Sequence, residues 1–201
     1  MVTIEELFPT LLYRAVLDTE INAELEKAAI FLATEDLAGI QWCRKNDYKG
    51  YTSFASLKDL PGRAPIFAKL VKYLDKHVAA FSEAEFDMGP RRLVLDSFWV
   101  NVMETGAIHT PHMHPHCVVS GTYYVTAPSG SGAIAFEDPR LPLMMAAPPR
   151  KASNSSARQT FVAIQPQAGM VLLWESWLRH GVVPNKAETP RISISFNYRV
   201  A

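Results

Sequence analysis

Cysteine is scarce in this sequence. The chain has two, Cys43 and Cys117, far apart and outside any CxxC pair. No disulfide framework is indicated, and a reducing cytoplasm is the expected setting. Long apolar runs are also missing, since none approaches the roughly 18 residues that a membrane span needs. The first ten residues carry Glu5 and Glu6, where a secretory signal needs a basic segment and then an apolar core. Nor is there an excess of either charge: 20 Lys and Arg balance 20 Asp and Glu. Without a bulk field to gather nucleic acid or an anionic membrane, neither is an expected partner. A small-molecule or peptide substrate is, and a homodimer is the default assembly.

What is present suits one domain over residues 1–201. Apolar residues make up 48% and charged residues 20%, enough for a sizeable core within ordinary limits. Residues 1–90 read mainly as helix. Behind a cap at Asp18 or Thr19, apolar Ile21, Leu25, Ala28, Ala29 and Leu32 recur at helical spacing to about residue 34. A second helix is expected over 63–81, with a stripe of Phe67, Leu70, Val71, Leu74, Val78 and Phe81 opposite Lys69, Lys72, Asp75 and Lys76. Such stripes dock on a sheet far more often than they bind a cofactor. Residues 41–56, between the helices, are polar, aromatic and irregular.

After Pro90 the texture changes to β. Strands are expected at 93–103, 117–126, 133–136, 160–164, 170–174 and 191–200, where Val, Ile, Phe, Tyr and Trp concentrate between Gly and Pro turns. Short strands punctuated this way imply a sandwich or barrel, giving a mainly β (α+β) class with the N-terminal helices packed on one sheet. Residues 137–159 have no period and exceed usual loop lengths. The mixture of Leu141, Leu143, Met144 and Met145 with a polar tail suggests a partly packed lid.

Histidine carries the chemistry. His109, His112, His114 and His116 fall within HTPHMHPH, His180 follows an aromatic strand in WESWLRHG, and only His77 lies elsewhere, on a helix. In an extended chain His112 and His114 point to one side, so both can reach one metal, and a third ligand from another strand completes a facial set. Pro115 has no amide hydrogen, so regular pairing is expected to begin near Cys117 and to leave the histidines at that strand's mouth. The alternatives are a solvated loop with coincidental histidines, or a structural zinc site. The latter usually recruits cysteine, and Cys117 would face away.

The last strand alternates: Ile192, Ile194, Phe196 and Tyr198 on one face, Arg191, Ser193, Ser195 and Asn197 on the other. Alone, this describes a half-buried strand with its polar face in water. Arg191 follows His180 by one short loop, however. If the polar face lines a barrel, the Arg191 guanidinium can bind a carboxylate in two places and Ser193 adds a hydroxyl.

These residues resemble the 2-oxoglutarate and Fe(II)-dependent oxygenases, whose signature is His-x-Asp/Glu, a distant His, and then Arg-x-Ser. The corresponding segments are His112-Met-His114, His180 and Arg191-Ile-Ser193. HMHPHCVVSGTYYV, FEDPR, the stretch from GMVLLWESWLRHGVVPN to RISISFN, and the opening LFPTLLY resemble one bacterial branch, so the likeness spans most of the chain. It implies a double-stranded β-helix (jelly-roll) core, iron held by His112, His114 and His180, and 2-oxoglutarate chelating the iron while Arg191 and Ser193 hold its far carboxylate. It also implies oxidative decarboxylation to succinate and carbon dioxide, coupled to oxidation, usually hydroxylation, of a substrate. The acidic ligand position holds His114, which leaves three ligand sets open: His114 as third ligand, water in its place, or the pair His114 and His116. A neutral imidazole there makes the metal complex one unit more positive.

Tyr124 and Asn101 are expected at the co-substrate or substrate. Thr122 and Ser120 share Tyr124's parity, Tyr123 faces oppositely, and His109 and His116 stand as neighbouring or substrate groups. Specificity is expected from residues 41–56 and 137–159. Two other functions fit the residues: a cupin-type three-histidine dioxygenase without 2-oxoglutarate, in which Arg191 binds a substrate carboxylate, and a non-catalytic metal-binding barrel.

Overall fold

In the computed structural model, which describes residues 2–153 and 155–201, two antiparallel sheets face each other and helices cover the back of the larger one. In chain order the strands are β1 (Tyr13–Val16), β2 (Gly50–Thr52), β3 (Leu93–Met103), β4 (His109–His112), β5 (Val119–Thr126), β6 (Ile134–Glu137), β7 (Phe161–Ile164), β8 (Met170–Glu175), β9 (His180–Val182) and β10 (Arg191–Val200). The helices are α1 (Asn22–Glu35), α2 (Leu37–Lys45), α3 (Leu60–Arg63) and α4 (Pro65–Glu85). The larger sheet runs β1-β8-β5-β10-β3-β2 and the smaller β4-β9-β6-β7. No helix among the described residues is long and apolar enough to cross a membrane.

The helix layer follows from its stripe. α4 opens with Pro65 at its first turn, where a missing amide hydrogen costs nothing. It buries Phe67, Leu70, Leu74, Val78 and Phe81 against Val100, Val119, Ile194 and Phe196 of the larger sheet. Each such side chain contributes roughly 1.5–3 kcal/mol. Polar ties fix the angle: the Tyr198 hydroxyl donates to Asp75 at 2.6 Å, Tyr13 bonds His77 at 2.8 Å, and Asn22 donates to the Val125 carbonyl at 2.8 Å.

The inner face of the larger sheet is organised by β10, which pairs with β3 on one side and β5 on the other. Directly paired residues share a face, so three rows form. Tyr124, Ser193 and Asn101 make one; Thr122, Ser195 and Trp99 the next; Ser120, Asn197 and Ser97 the last. Tyr123 points the other way and bonds Asn22 in the helix layer. Tyr124 of the first row also packs with Ile134, Phe136, Leu172 and Trp174 between the sheets.

Three expectations need correction. Residues 1–90 are not helix alone, since β1 and β2 join the larger sheet and α2 occupies part of the stretch read as irregular. β1 and β2 have four and three residues, too short for an alternation pattern to register. Second, the histidine segment does not lead straight into β5. His109 to His112 form their own strand in the smaller sheet. The chain then reverses through Pro115 and through His116, whose backbone is left-handed at φ 71°, before crossing to the larger sheet. Third, the described part of 137–159 packs its apolar residues only at Leu141 and Met144, which are half-buried; Leu143 and Met145 are exposed, and past the end of β6 its regular structure is two short 3-10 turns. Asn154 lies outside the described residues.

Candidate active site

Between the sheets lies an open cavity of about 850 Å³. β4 and β9 bring histidines to it by pairing: His112 lies opposite His180 and His109 opposite Val182. The turn at 113–118 carries His114 back beneath them, its amide donating to the Ser176 carbonyl at 3.0 Å. One ligand atom from each of His112, His114 and His180 lies within 4.8 Å of the other two. Donor atoms this close together can share one cation, to which an imidazole bond is about 2.0–2.1 Å.

The imidazoles are prepared for this. Nδ1 of His112 lies 2.7 Å from the Thr110 carbonyl and Nδ1 of His180 lies 2.9 Å from the Leu178 carbonyl. A carbonyl only accepts, so each Nδ1 carries the hydrogen and each Nε2 keeps its lone pair. Burial lowers the pKa of His180 to about 3 and that of His114 to about 4, helped by the neighbouring imidazoles. Both rings are neutral near pH 7, the form that ligates metal. Around them, Trp174 stands edge-on to His180 with ring centroids 4.7 Å apart. Arg179, just before His180, pairs with Glu137 at 3.0 Å.

At one end of the cavity is Arg191, 2% exposed. Its guanidinium donates to the Gly132 carbonyl at 3.0 Å and to Ser193 Oγ at 3.4 Å, and lies 2.9 Å from Met103 Sδ. Its Nε has no partner among the described residues, and none of their ion pairs includes it. An uncompensated buried cation is costly, so this end of the cavity fits an anion. The Tyr124 ring lies under the guanidinium at 5.4 Å, its hydroxyl pKa raised by burial.

Asn101 also lines the cavity, but its amide is engaged: Oδ1 accepts from Thr52 and Nδ2 donates to Ser195. Thr122 lines the cavity too, while Ser120 is tied to Ser176 and Asn197. His116 is exposed and outside the triad. Cys117 donates to Asp96 at 3.7 Å instead of joining the histidines.

Tyr48 did not stand out in the sequence. It comes from the turn between α2 and β2, packs on Met103 and Val182, and bonds His109 Nε2 at 2.8 Å. Burial drives the His109 pKa down to about 3, assisted by Arg191. Only the aromatic content of 41–56 hinted at such a contribution. Residues 42, 46–49, 52 and 54 line the cavity, and none of the described residues from 137–159 does.

The donor set is therefore three imidazoles and a guanidinium without a counter-ion among the described residues, gathered in one cavity, which fits a divalent iron and a dicarboxylic acid. Comparison with known proteins points the same way. A family model described as "Putative 2OG-Fe(II) oxygenase" matches residues 97–197, which include all of these groups. In fold, the chain is similar to a prolyl-4-hydroxylase from Pseudomonas putida, at 17% identity over 94% of this chain and 93% of that one, with a TM-score of 0.64. It is similar to the viral collagen prolyl hydroxylase of Paramecium Bursaria Chlorella virus-1 in its 2OG complex, at 14% identity over 94% of each chain and a TM-score of 0.60. HygX from Streptomyces hygroscopicus with nickel and 2-oxoglutarate bound aligns at 16% identity over 95% of this chain and 83% of that one, with a TM-score of 0.64. No curated protein matches the sequence. The two-sheet architecture is the double-stranded β-helix of such enzymes, and the chain belongs to the 2OG-Fe(II) oxygenase family, with Fe(II) and 2-oxoglutarate as its cofactor and co-substrate.

Proposed function

We propose that the protein is a hydroxylase in which His112, His114 and His180 hold Fe(II) while Arg191 and Ser193 hold the far carboxylate of 2-oxoglutarate. The observation that carries this reading is the buried guanidinium of Arg191, without a carboxylate partner among the described residues, in the cavity that also gathers the three imidazoles. When bound, iron and 2-oxoglutarate supply the oxidising chemistry: dioxygen is consumed, 2-oxoglutarate loses carbon dioxide to give succinate, and one oxygen atom enters a substrate C–H bond as hydroxyl.

The chain's own work is ligation and orientation. Thr110 and Leu178 carbonyls hold the His112 and His180 rings so that Nε2 faces the metal. Arg191 offers paired donors to a carboxylate, and Ser193 Oγ, 3.4 Å from the same guanidinium, adds a hydroxyl. Tyr124 walls the carboxylate off from water, which strengthens its pairing with the cation. His114 brings no negative charge, so an anionic chelate meets no carboxylate repulsion at the metal.

The test is anaerobic addition of Fe(II) and 2-oxoglutarate. A weak visible metal-to-ligand charge-transfer band is expected, lost in Arg191→Ala at 2-oxoglutarate concentrations that saturate the parent. A three-histidine dioxygenase that does not use 2-oxoglutarate gives no such band, and a zinc-holding barrel gives none and prefers zinc. Succinate release across a substrate panel then assigns the reaction.

A further inference from the structure

The cavity is much larger than a five-carbon diacid requires, and its remaining wall has a definite chemistry. The Arg191 end is polar and closed. From Arg191 to Ser195 the strand advances about 13 Å, which carries the floor past the histidines to a second, open end. There Trp99 is 5.8 Å from the His114 ring and 5.2 Å from Phe54, ring centroid to ring centroid. Phe54 meets Trp99 at 67°, so the two rings form a corner that leads from solvent to the metal-ligating imidazole. Trp99 is 8% exposed and Phe54 58%.

The rim continues this pattern. Trp42, Phe54, Ile108 and Met113 are four of the exposed large apolar side chains, and all four line this cavity. They come from separate segments of the chain and converge on one opening, the pattern of a ligand groove and not of scattered surface residues. The charged groups beside them cancel: Asp47 and Lys49 carry opposite signs, and Asp96 pairs with Arg199 at 3.3 Å. No net field selects a charged guest. On the floor, Ser195 Oγ accepts from Asn101 at 3.1 Å and retains its own proton for an oxygen of the guest. The cavity volume lies within the range of small-molecule pockets, roughly 300–1,000 Å³.

We propose that the substrate is an uncharged small organic molecule. It places an apolar ring or branched carbon skeleton in the Phe54–Trp99 corner and a hydroxyl or carbonyl over Ser195. This rests on the hydroxylase reading, because the corner opens onto His114. A charged substrate meets Asp47 and Lys49 together, so neither sign gains a net counter-charge at this end, and a guest without an apolar face leaves the rim exposed to water.

The experiment uses three probes of one skeleton with the zinc-loaded full-length protein: 4-phenylcyclohexanol, 4-phenylcyclohexylamine and 4-phenylcyclohexanecarboxylate. Binding is read by saturation-transfer NMR and by quenching of tryptophan fluorescence, without oxygen or turnover, in the presence of 2-oxoglutarate. The alcohol is expected to bind about tenfold more tightly than either charged analogue, and Phe54→Ala to weaken it about tenfold. Trp99→Ala should do the same. Phe54 is exposed, so its variant remains informative even if loss of Trp99 harms folding. Affinity for 2-oxoglutarate, measured separately, should stay within about twofold in Phe54→Ala. Tighter binding of either ion, indifference of the alcohol to Phe54→Ala, or no binding of any probe (the outcome for a macromolecular guest) overturns the proposal. Loss of 2-oxoglutarate binding by the parent protein would instead count against the hydroxylase reading.

Discussion

His112 and His180 are register partners across β4 and β9, with ring centroids 4.6 Å apart. The two strands are joined at two of the three clustered histidines, so the β4–β9 pairing also sets the distance between two imidazoles. Gly181 permits it: a Cβ there would lie 2.8 Å from the His109 carbonyl oxygen and 3.1 Å from Pro111 N. Gly181→Ala is therefore expected to push β4 away from β9 and lower Fe(II) affinity at least tenfold, on the scale of losing a ligand's support. Titration of the anaerobic protein with Fe(II) measures it; unchanged affinity would show that the strands have slack.

Removing a ligand should be more severe. His112→Ala and His180→Ala are expected to abolish stoichiometric iron at micromolar protein, by metal analysis after anaerobic purification. His116→Ala, exposed and outside the triad, is expected to retain it.

Arg191→Met keeps much of the side-chain bulk and removes the charge. 2-Oxoglutarate binding is expected to weaken by about 30-fold or more, corresponding to about 2–5 kcal/mol for a desolvated charge pair, with iron affinity nearly unchanged. Equal loss of both would count against the assigned role. With no acid bound, Arg191→Met is expected to leave the fold as stable as the parent or more so, because the native cation is buried without a counter-ion.

The apoprotein should be acid-sensitive. His109, His114 and His180 have pKa values lowered to about 3, 4 and 3, with burial the leading cause in each case. In the unfolded chain they titrate near 6.5. Below that value the unfolded state binds more protons than the folded one, so stability is full above about pH 6.5 and falls as pH drops toward 3–4. Thermal melts of the metal-free protein between pH 7.5 and 4.5 should show a declining midpoint, and His109→Asn should flatten the slope.

Asp36 links the helix layer to the cavity. Burial raises its pKa, but hydrogen bonds from Ser56, the Gly39 and Ala38 amides and Tyr51 outweigh this and leave it lowered. Stability from this carboxylate is present above its ordinary pKa and lost as pH falls through the lowered one. Asp36→Asn should cost about 1–3 kcal/mol, read as a lower midpoint in urea, and should loosen the 46–54 segment that carries Tyr48 and Phe54.

The strongest local patterns were legible in the sequence. The period-two alternation of 191–200 and the β-rich 93–103 stretch gave strand bounds that match the structure, and the α4 stripe named the residues that are buried. The site was legible where chemistry is concentrated, in the histidines and in Arg191. Other features were not, for physical reasons. β4 and β9 are four and three residues long, and their pairing is visible only once the chain has folded back through His116. Tyr48 lies 61 positions from His109, and no local pattern relates them. In 137–159 Leu141 and Met144 are half-buried while Leu143 and Met145 are exposed, and none of the four lines the cavity, since hydrophobic residues do not by themselves imply burial.

The apolar mouth of the cavity takes Trp42 and Phe54 from the chain between α1 and α3, whereas His112, His180 and Arg191 lie on strands and His114 on the turn after β4. Trp42 and Phe54 can thus be exchanged while the histidines and Arg191 keep their supports, whereas Tyr51 and Thr52 are buried in β2 and Tyr48 holds His109. Libraries confined to those two exposed positions are expected to change which compounds are accepted while β2 and its pairing with β3 stay intact.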